Sequence, residues 1–334
     1  MKEIGSSYQI IKKIKHGSDG VSSFLRRKKS LNQAVGVAYE PDGISLAHIK
    51  SGRDGLSLQH IGFYPVKDPA ERGNELKKII SETGLKGVPA YFVLGYDQYS
   101  LMQIEAPEVP PEELKSAVRW RIKDLIDYHL DDAEIEIIHL PESKRAGAPR
   151  LMYVLASRTA FVKTIIDDMN SAGLDLAVID VMELALRNMT FADVEENRAS
   201  AFLYLSENFN LIEICDNGSL CLSRHINMDF NRIDPLTGEG KMEMMDMLSL
   251  EVQRSMDYYE SQFANGSATK INMVTQVPIS VSEFMEVADS YLTAPVQPLA
   301  ALEKIQGIDQ YENQLVARCL PPIGAAVRDY VWKT

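Results

Sequence analysis

The side chains able to do chemistry are few, and their spacing is poor for catalysis. Cys215 and Cys221 flank the turn 216–219 and could approach one another across a hairpin. A metal site would need two further ligands at matching spacing, and none is present, so buried strand cysteines are expected. The third cysteine is Cys319. His48, His60, His129, His139 and His225 are scattered with no H-x-x-x-H pair. The acid pairs Glu112-Glu113 and Asp131-Asp132 flank one helix. They read as solvated helix ends, and the first pair also suits a helix N-terminus electrostatically. No G-x-S-x-G, Walker A or dinucleotide fingerprint occurs. Trp120 and Tyr128 are amphipathic aromatics of the kind that anchor partners. They could equally pack on the strands of their own subdomain. Met242, Met244, Met245 and Met247 open a long helix, where core packing is expected because Met245 lies on the apolar stripe.

Composition narrows the class. The chain has 334 residues, 45% hydrophobic and 25% charged, which excludes a disordered or fibrous protein. The longest charge-free stretch, 290–302, has 13 residues and is broken by Pro295 and Pro298. That is too short for a membrane crossing, and no secretory core is read near the start. Three cysteines fit a reducing compartment. These features place the chain in the cytoplasm. Net charge is −12. Residues 1–34 hold eight basic and two acidic side chains, so this arm carries +6 and the body −18. An acidic body is a poor nucleic-acid binder. The arm, with Arg26, Arg27, Lys28 and Lys29, has two readings: attraction to an anionic membrane surface, or a solvated tail without structural role.

The elements that must position these groups repeat. From residue 34, Val35, Val37 and Tyr39 alternate on one strand face, Pro41-Asp42-Gly43 is turn chemistry, and two further strands follow to residue 64. A helix over 70–83 ends at Gly84, and 90–95 is a short apolar strand. The same order returns later. Three strands span 201–205, 211–215 and 220–225, a long amphipathic helix spans 242–263, a strand spans 270–275 and a helix 282–291. A β-β-β-α-β-α order thus appears twice, at about 34–100 and 200–292. This duplication is the pattern of the actin-like ATPase fold. Between the copies, Pro110-Pro111 starts a helix with the stripe Leu114, Val118, Ile122 and Leu125. Strands are expected at 134–140, 150–155 and 174–180, with Ser157 capping a helix between the last two. The expected division is a flexible basic arm (1–33), the first part of lobe 1 (34–104), a small α/β insert (105–180), a connector helix (181–199) and lobe 2 with the C-terminal helix (200–330).

Several runs resemble one family. IEAPEVPPEELKSAVRWRI at 104–122 is similar to a P-x-x-P-x-x-E-L-x-x-A-V-x-W-E pattern in the insert of PilM, the actin-like cytoplasmic component of type IV pilus assembly. ASR at 156–158, AGL at 172–174, VIDVME at 178–183, LEVQRSMDYY at 250–259 and PIGAAVR at 322–328 match it too. The resemblance covers about residues 24–330. Among PilM-like proteins the chain looks most like the MshI branch of mannose-sensitive haemagglutinin (MSHA) pilus systems, and more distantly like the soluble lobe of GspL. The resemblance implies a cytoplasmic platform under the inner membrane. Such a platform captures the tail of a PilN-like bitopic protein between lobe 1 and the insert, with the motor ATPase as a further candidate partner.

The same resemblance locates an eroded nucleotide site. The family's first phosphate turn reads roughly D-I-G-S-S. Here Ala38 stands for the Mg²⁺-organising Asp, Glu40 for the glycine, and Pro41 supplies no N–H. Asp42 adds a second carboxylate. The second turn, D-I-G-x-x-x-T in the family, runs from Tyr204 through Ser206 to Asn210 without glycine or Asp. The adenosine-side G-G is replaced near Thr275 and Gln276. The expectation is no bound cofactor, negligible ATP binding and no hydrolysis. The rival reading is a slowly hydrolysing ATP-binding protein with relocated contacts.

Overall fold

Strand β1 (Gln33–Glu40) lies between an antiparallel partner and a parallel one, and its residues are buried on both faces. Val35, Val37 and Tyr39 enter one core and Ala34 and Ala38 another. This two-sided burial makes it a central strand. The computed structural model describes residues 32–143, 147–191, 198–234, 237–263 and 266–330. β1 forms a meander with β2 (Gly43–Gly52) and β3 (Gly55–Pro65). Helix α1 (Arg72–Thr83) follows, with Leu76, Ile79 and Ile80 inward. It stops at Gly84, whose φ of 69° is the left-handed value that a glycine adopts without penalty. Strand β4 (Pro89–Leu94) then pairs parallel to β1.

The insert comes next: β5 (Tyr99–Glu105), α2 (Pro111–Arg121), β6 (Ala133–His139) and β7 (Leu151–Arg158). Its three strands form their own sheet in the order β5-β7-β6. Ile104, Val118, Ile122, Ile135, Met152 and Val154 make a separate small core. The chain then returns to lobe 1 through α3 (Thr159–Ala172), β8 (Asp175–Val181) and α4 (Met182–Thr190). Lobe 2 runs β9 (Ala199–Leu205), β10 (Asn210–Asp216), β11 (Ser219–His225), α5 (Lys241–Phe263), β12 (Ile271–Thr275), α6 (Val281–Ala288) and β13 (Val296–Pro298). A closing segment holds β14 (Ile305–Gln306), α7 (Asn313–Arg318) and α8 (Leu320–Ala326).

The two main sheets share one topology. Their orders are β3-β2-β1-β4-β8 and β11-β10-β9-β12-β13, with β14 added at the edge of the first. The insert therefore interrupts lobe 1 between β4 and α3, the place where β12 passes directly to α6 in lobe 2.

Several boundaries differ from those read in the sequence. The insert spans about 99–158 instead of 105–180, because β5 pairs with β7 while β8 hydrogen-bonds to β4 in the main sheet. An isolated strand pattern does not reveal which sheet will take it. The C-terminal segment belongs with lobe 1: β14 pairs with β3, and α8 packs on β1, β2, β4 and α4. Gly36 shows how closely, since a Cβ there would lie 1.8 Å from the Pro322 carbonyl oxygen. Among the described residues the connector helix is α4. Ser157 does not cap α3. It ends within β7, and its hydroxyl donates to the Gln98 carbonyl at 2.8 Å. Leu125 leaves the apolar stripe because α2 ends at Arg121, and it is exposed. Met244 and Met245 are buried, whereas Met242 and Met247 are exposed. Residues 1–31 lie outside the described set, and Gln33 already belongs to β1. No helix of the described residues is long and apolar enough to cross a membrane.

Candidate functional site

The duplicated topology brings the β1–β2 and β9–β10 turns face to face. Ala38, Glu40, Pro41 and Asp42 at the β1–β2 turn, and Tyr204, Ser206 and Phe209 around the β9–β10 turn, line one inter-lobe cleft of about 230 Å³. Gln276 joins them, and Thr275 does not. The Thr275 hydroxyl turns back on Val277, accepting from its N–H at 3.2 Å. Asn210 lies beneath the turn, buried.

The first turn presents oxygens to the cleft, and two arginines answer them. Arg318, on α7, donates through Nε to Glu40 Oε2 at 2.8 Å and through its terminal nitrogen to Asp42 Oδ1 at 2.5 Å. Its guanidinium stacks on the Phe63 ring, 3.3 Å from the centroid. Arg72, at the start of α1, donates to the carbonyls of Glu40 at 2.6 Å and Pro41 at 3.2 Å. Burial raises the Glu40 pKa, and the Arg318 charge opposes that rise. For Arg318, burial pulls downward, but the Asp42 and Glu40 carboxylates outweigh it and the pKa rises. Cys319, beside this cluster, is pushed up to about 12 by burial and is inert as a thiol.

The second turn closes on itself. The Ser206 N–H donates to Asn210 Oδ1 at 3.1 Å, and the Ser206 hydroxyl donates to the Phe209 carbonyl at 2.8 Å. The Phe209 N–H donates back to Ser206 Oγ at 3.0 Å. Asn210 Nδ2 holds the Met228 carbonyl at 3.1 Å. Below, the Tyr204 hydroxyl donates to the Ala317 carbonyl at 3.2 Å and accepts from Gln276 Nε2 at 2.5 Å. Both of these backbone donors of the turn are spent internally.

Arg318 and Arg72 are the residues that the sequence does not disclose. Arg318 lies 278 residues from Glu40 and has no local motif. The one available signal is indirect: two carboxylates close together on one turn, Glu40 half-buried and Asp42 exposed, favour a cation nearby.

A second concave site lies wholly on the insert. Ser116, Arg119, Trp120, Lys123 and Tyr128 to Asp131 line a groove of about 450 Å³. Trp120 is 71% exposed, with Lys123 Nζ 5.8 Å above its ring. Arg158 covers Tyr128 at 4.3 Å, and the Tyr128 hydroxyl is buried without a hydrogen-bond partner. The structure thus unites Trp120 and Tyr128, but on one face of the insert and not against lobe 1. Arg26, Arg27, Lys28 and Lys29 lie outside the described residues.

Cys215 and Cys221 do not meet. A bulge between Ile214 and Cys215 pairs Cys215 with Leu220, and the two thiols enter different cores. Among the described residues no three His, Cys, Asp or Glu side chains could hold a metal ion. A buried acidic pair lies where the lobes meet. Glu183 on α4 accepts from the Tyr99 hydroxyl at 2.5 Å and faces His225 at 3.4 Å. Glu213 on β10 is fully buried, and neither of its oxygens has a partner. Burial, with the Glu183 charge, drives the Glu213 pKa well above the usual carboxylate range, against the pull of Arg187.

No family model and no curated protein matches the chain. Solved structures do. A structure described as the PilM-PilN type IV pilus biogenesis complex superposes with a TM-score of 0.66 at 18% identity, covering 88% of this chain and 98% of that one. The cytoplasmic domain of EpsL, an inner membrane component of the type II secretion system of Vibrio cholerae, gives 0.49 at 10% identity, covering 85% and 98%. A Bacteroides thetaiotaomicron protein with an actin-like ATPase fold and unknown function gives 0.49 at 8%, covering 84% and 98%. The chain has the actin-like ATPase fold, two lobes of one topology with an α/β insert in the first.

Proposed function

We propose that the chain is a non-enzymatic scaffold of the PilM kind, in type IV pilus biogenesis and within it the MSHA type. It would sit at the cytoplasmic face of the inner membrane and hold the cytoplasmic tail of a PilN-like membrane protein. The motor ATPase is a further candidate partner. The likeness in fold to the PilM-PilN complex supports the partner class.

One observation carries the non-enzymatic reading. Where a triphosphate would need amide donors, the first turn offers Glu40 and Asp42, already clasped by Arg318. A carboxylate about 5 Å from a phosphate charge costs roughly 3 kcal/mol at an effective dielectric of about 20. Each lost hydrogen bond to a charged oxygen adds roughly 1.5–3 kcal/mol. Together these raise a dissociation constant by several decades, at about 1.4 kcal/mol each. ATP–Mg²⁺ should therefore leave the melting temperature unchanged, because only a ligand of the native state raises it. A titration showing ATP–Mg²⁺ binding below about 50 μM defeats this half of the reading.

The groove beside Trp120 and Tyr128 is the proposed contact for a partner segment, anchored by the exposed indole and the unpaired phenol. Co-purification with the N-terminal peptide of the PilN-like partner in mild salt tests the capture. Failure of both the peptide and the full-length partner to bind defeats that half.

A further inference from the structure

Lobe 2 leaves one helix face uncovered. Of the eight large hydrophobic side chains exposed among the described residues, four lie on α5 (Met242, Met247, Leu250 and Tyr258) and two on α6 or just beyond it (Met285 and Tyr291). Single exposed apolar side chains are ordinary, but several on one helix mark an interaction surface. α5 buries Met245, Leu248, Val252, Met256 and Tyr259 in the lobe 2 core. At 3.6 residues per turn the opposite side carries Met247, Leu250, Arg254 and Tyr258, spaced by three and four. This is a second seam, turned away from the core.

The charge around the seam is one-sided. Glu243, Asp246 and Asp257 flank it, and among the described residues no cation pairs with them. The cations nearby are already held: Arg224 and Arg254 both by Glu251, each at 2.5 Å, and Lys241 by Glu283 at 2.8 Å. That charge selects the occupant. A second copy would set the same acids against one another, and an anionic membrane would meet the same repulsion. A cationic amphipathic segment suits both the seam and the acids, and the chain carries one. Residues 1–31 hold eight basic and two acidic side chains, so +6. Ile10, Ile11 and Ile14 supply apolar groups at helical spacing among Lys12, Lys13 and Lys15, and Arg26 to Lys29 follow. Reach is ample. Residues 1–31 span up to about 100 Å when extended, against roughly 50 Å across a folded chain of 334 residues.

We propose that the basic arm docks on its own lobe 2. Ile10, Ile11 and Ile14 cover the α5 seam of Met247, Leu250 and Tyr258, and the arm's lysines lie against Glu243, Asp246 and Asp257. An arm held there is withheld from any anionic surface until that surface outcompetes α5.

The test is photo-crosslinking of the full chain with benzoylphenylalanine in place of Ile11, the adducts being mapped by mass spectrometry. Crosslinks within one chain, from position 11 to the outward face of α5 over 243–258, are expected. The Leu250→Ser/Asp257→Lys double variant should lower their yield by about fivefold or more. Its melting temperature should stay at the starting value, because both side chains are exposed. Trp120→Ser, on the insert, should leave the yield unchanged. No crosslink to α5, a yield indifferent to the double variant, or equal loss in Trp120→Ser overturns the proposal. Crosslinks formed only between two chains overturn it in favour of docking on a second copy. Crosslinks formed only to lipid, when phosphatidylglycerol vesicles are present, overturn it by giving the arm to a membrane.

Discussion

The β1–β2 turn and the β9–β10 turn hold equivalent places in two sheets of the same strand order, and they are closed by different means. In lobe 1 the closure is long-range and ionic: Arg318 arrives from the C-terminal segment and Arg72 from the next helix. In lobe 2 it is local and neutral, with Ser206 and Asn210 satisfying backbone groups of their own hairpin and of the strand exit beyond. The difference follows from burial and composition. Lobe 1 carries two carboxylates on its turn and needs an outside cation, while lobe 2 carries short polar side chains that mimic a turn's own hydrogen bonds. A duplicated fold can close equivalent turns by unrelated chemistry.

The largest effect should come from the brace that ties the closing segment to lobe 1. Arg328 pairs with Asp180, which is fully buried on β8. Arg328→Ala strands that carboxylate and should cost about 3–5 kcal/mol in urea unfolding. Next is the contrast between the turns. Asn210→Ala leaves the Ser206 N–H and Met228 carbonyl without this partner in a buried place, for roughly 2–3 kcal/mol. Arg318→Ala removes a partly exposed clasp and should cost only about 1 kcal/mol. If Arg318→Ala proves the more damaging, the distinction between local and long-range closure is broken.

A third effect concerns the seam between the lobes. The folded state holds the Glu213 proton above the ordinary value of 4.5, and the unfolded chain releases it near that value. The folded state therefore binds more protons from about pH 4.5 upward, and stability falls as pH rises through that window. Glu213→Gln should flatten this slope in melting measurements between about pH 5 and about pH 8. An unchanged slope assigns the pH dependence to other groups. The smallest stability effect belongs to the insert groove. Trp120→Ala should shift unfolding by less than about 0.5 kcal/mol, because the indole is mostly in solvent. The same variant should abolish capture of the partner peptide. Retained capture would leave the insert groove without its proposed role.

Much of the fold was legible in the sequence. Alternation at Val35, Val37 and Tyr39, the turn Pro41-Asp42-Gly43 and the stop at Gly84 are local signals, and each appears where it was read. The exposure of Trp120 was not decided by the sequence, which left it open between anchoring a partner and packing on its own subdomain. The capping role given to Ser157 failed because β7 runs on to Arg158, three residues past the strand end read in the sequence, and strand pairing outbid a cap. The assignment of 174–180 to the insert failed because sheet membership depends on a parallel partner, β4, some 85 residues earlier.

Residue types and their order alone determined that two similar half-folds exist and that one turn carries Glu40, Pro41 and Asp42 while the other carries Ser206 and Asn210. They determined this because turn chemistry and strand alternation are properties of neighbouring residues. Only the tertiary structure decided that Arg318 clasps Glu40 and Asp42, that the closing segment braces lobe 1, and that Trp120 and Tyr128 share a groove on the insert alone. Those contacts join residues far apart in the chain, and what brings them together is the packing of whole elements around shared cores, which no local pattern encodes.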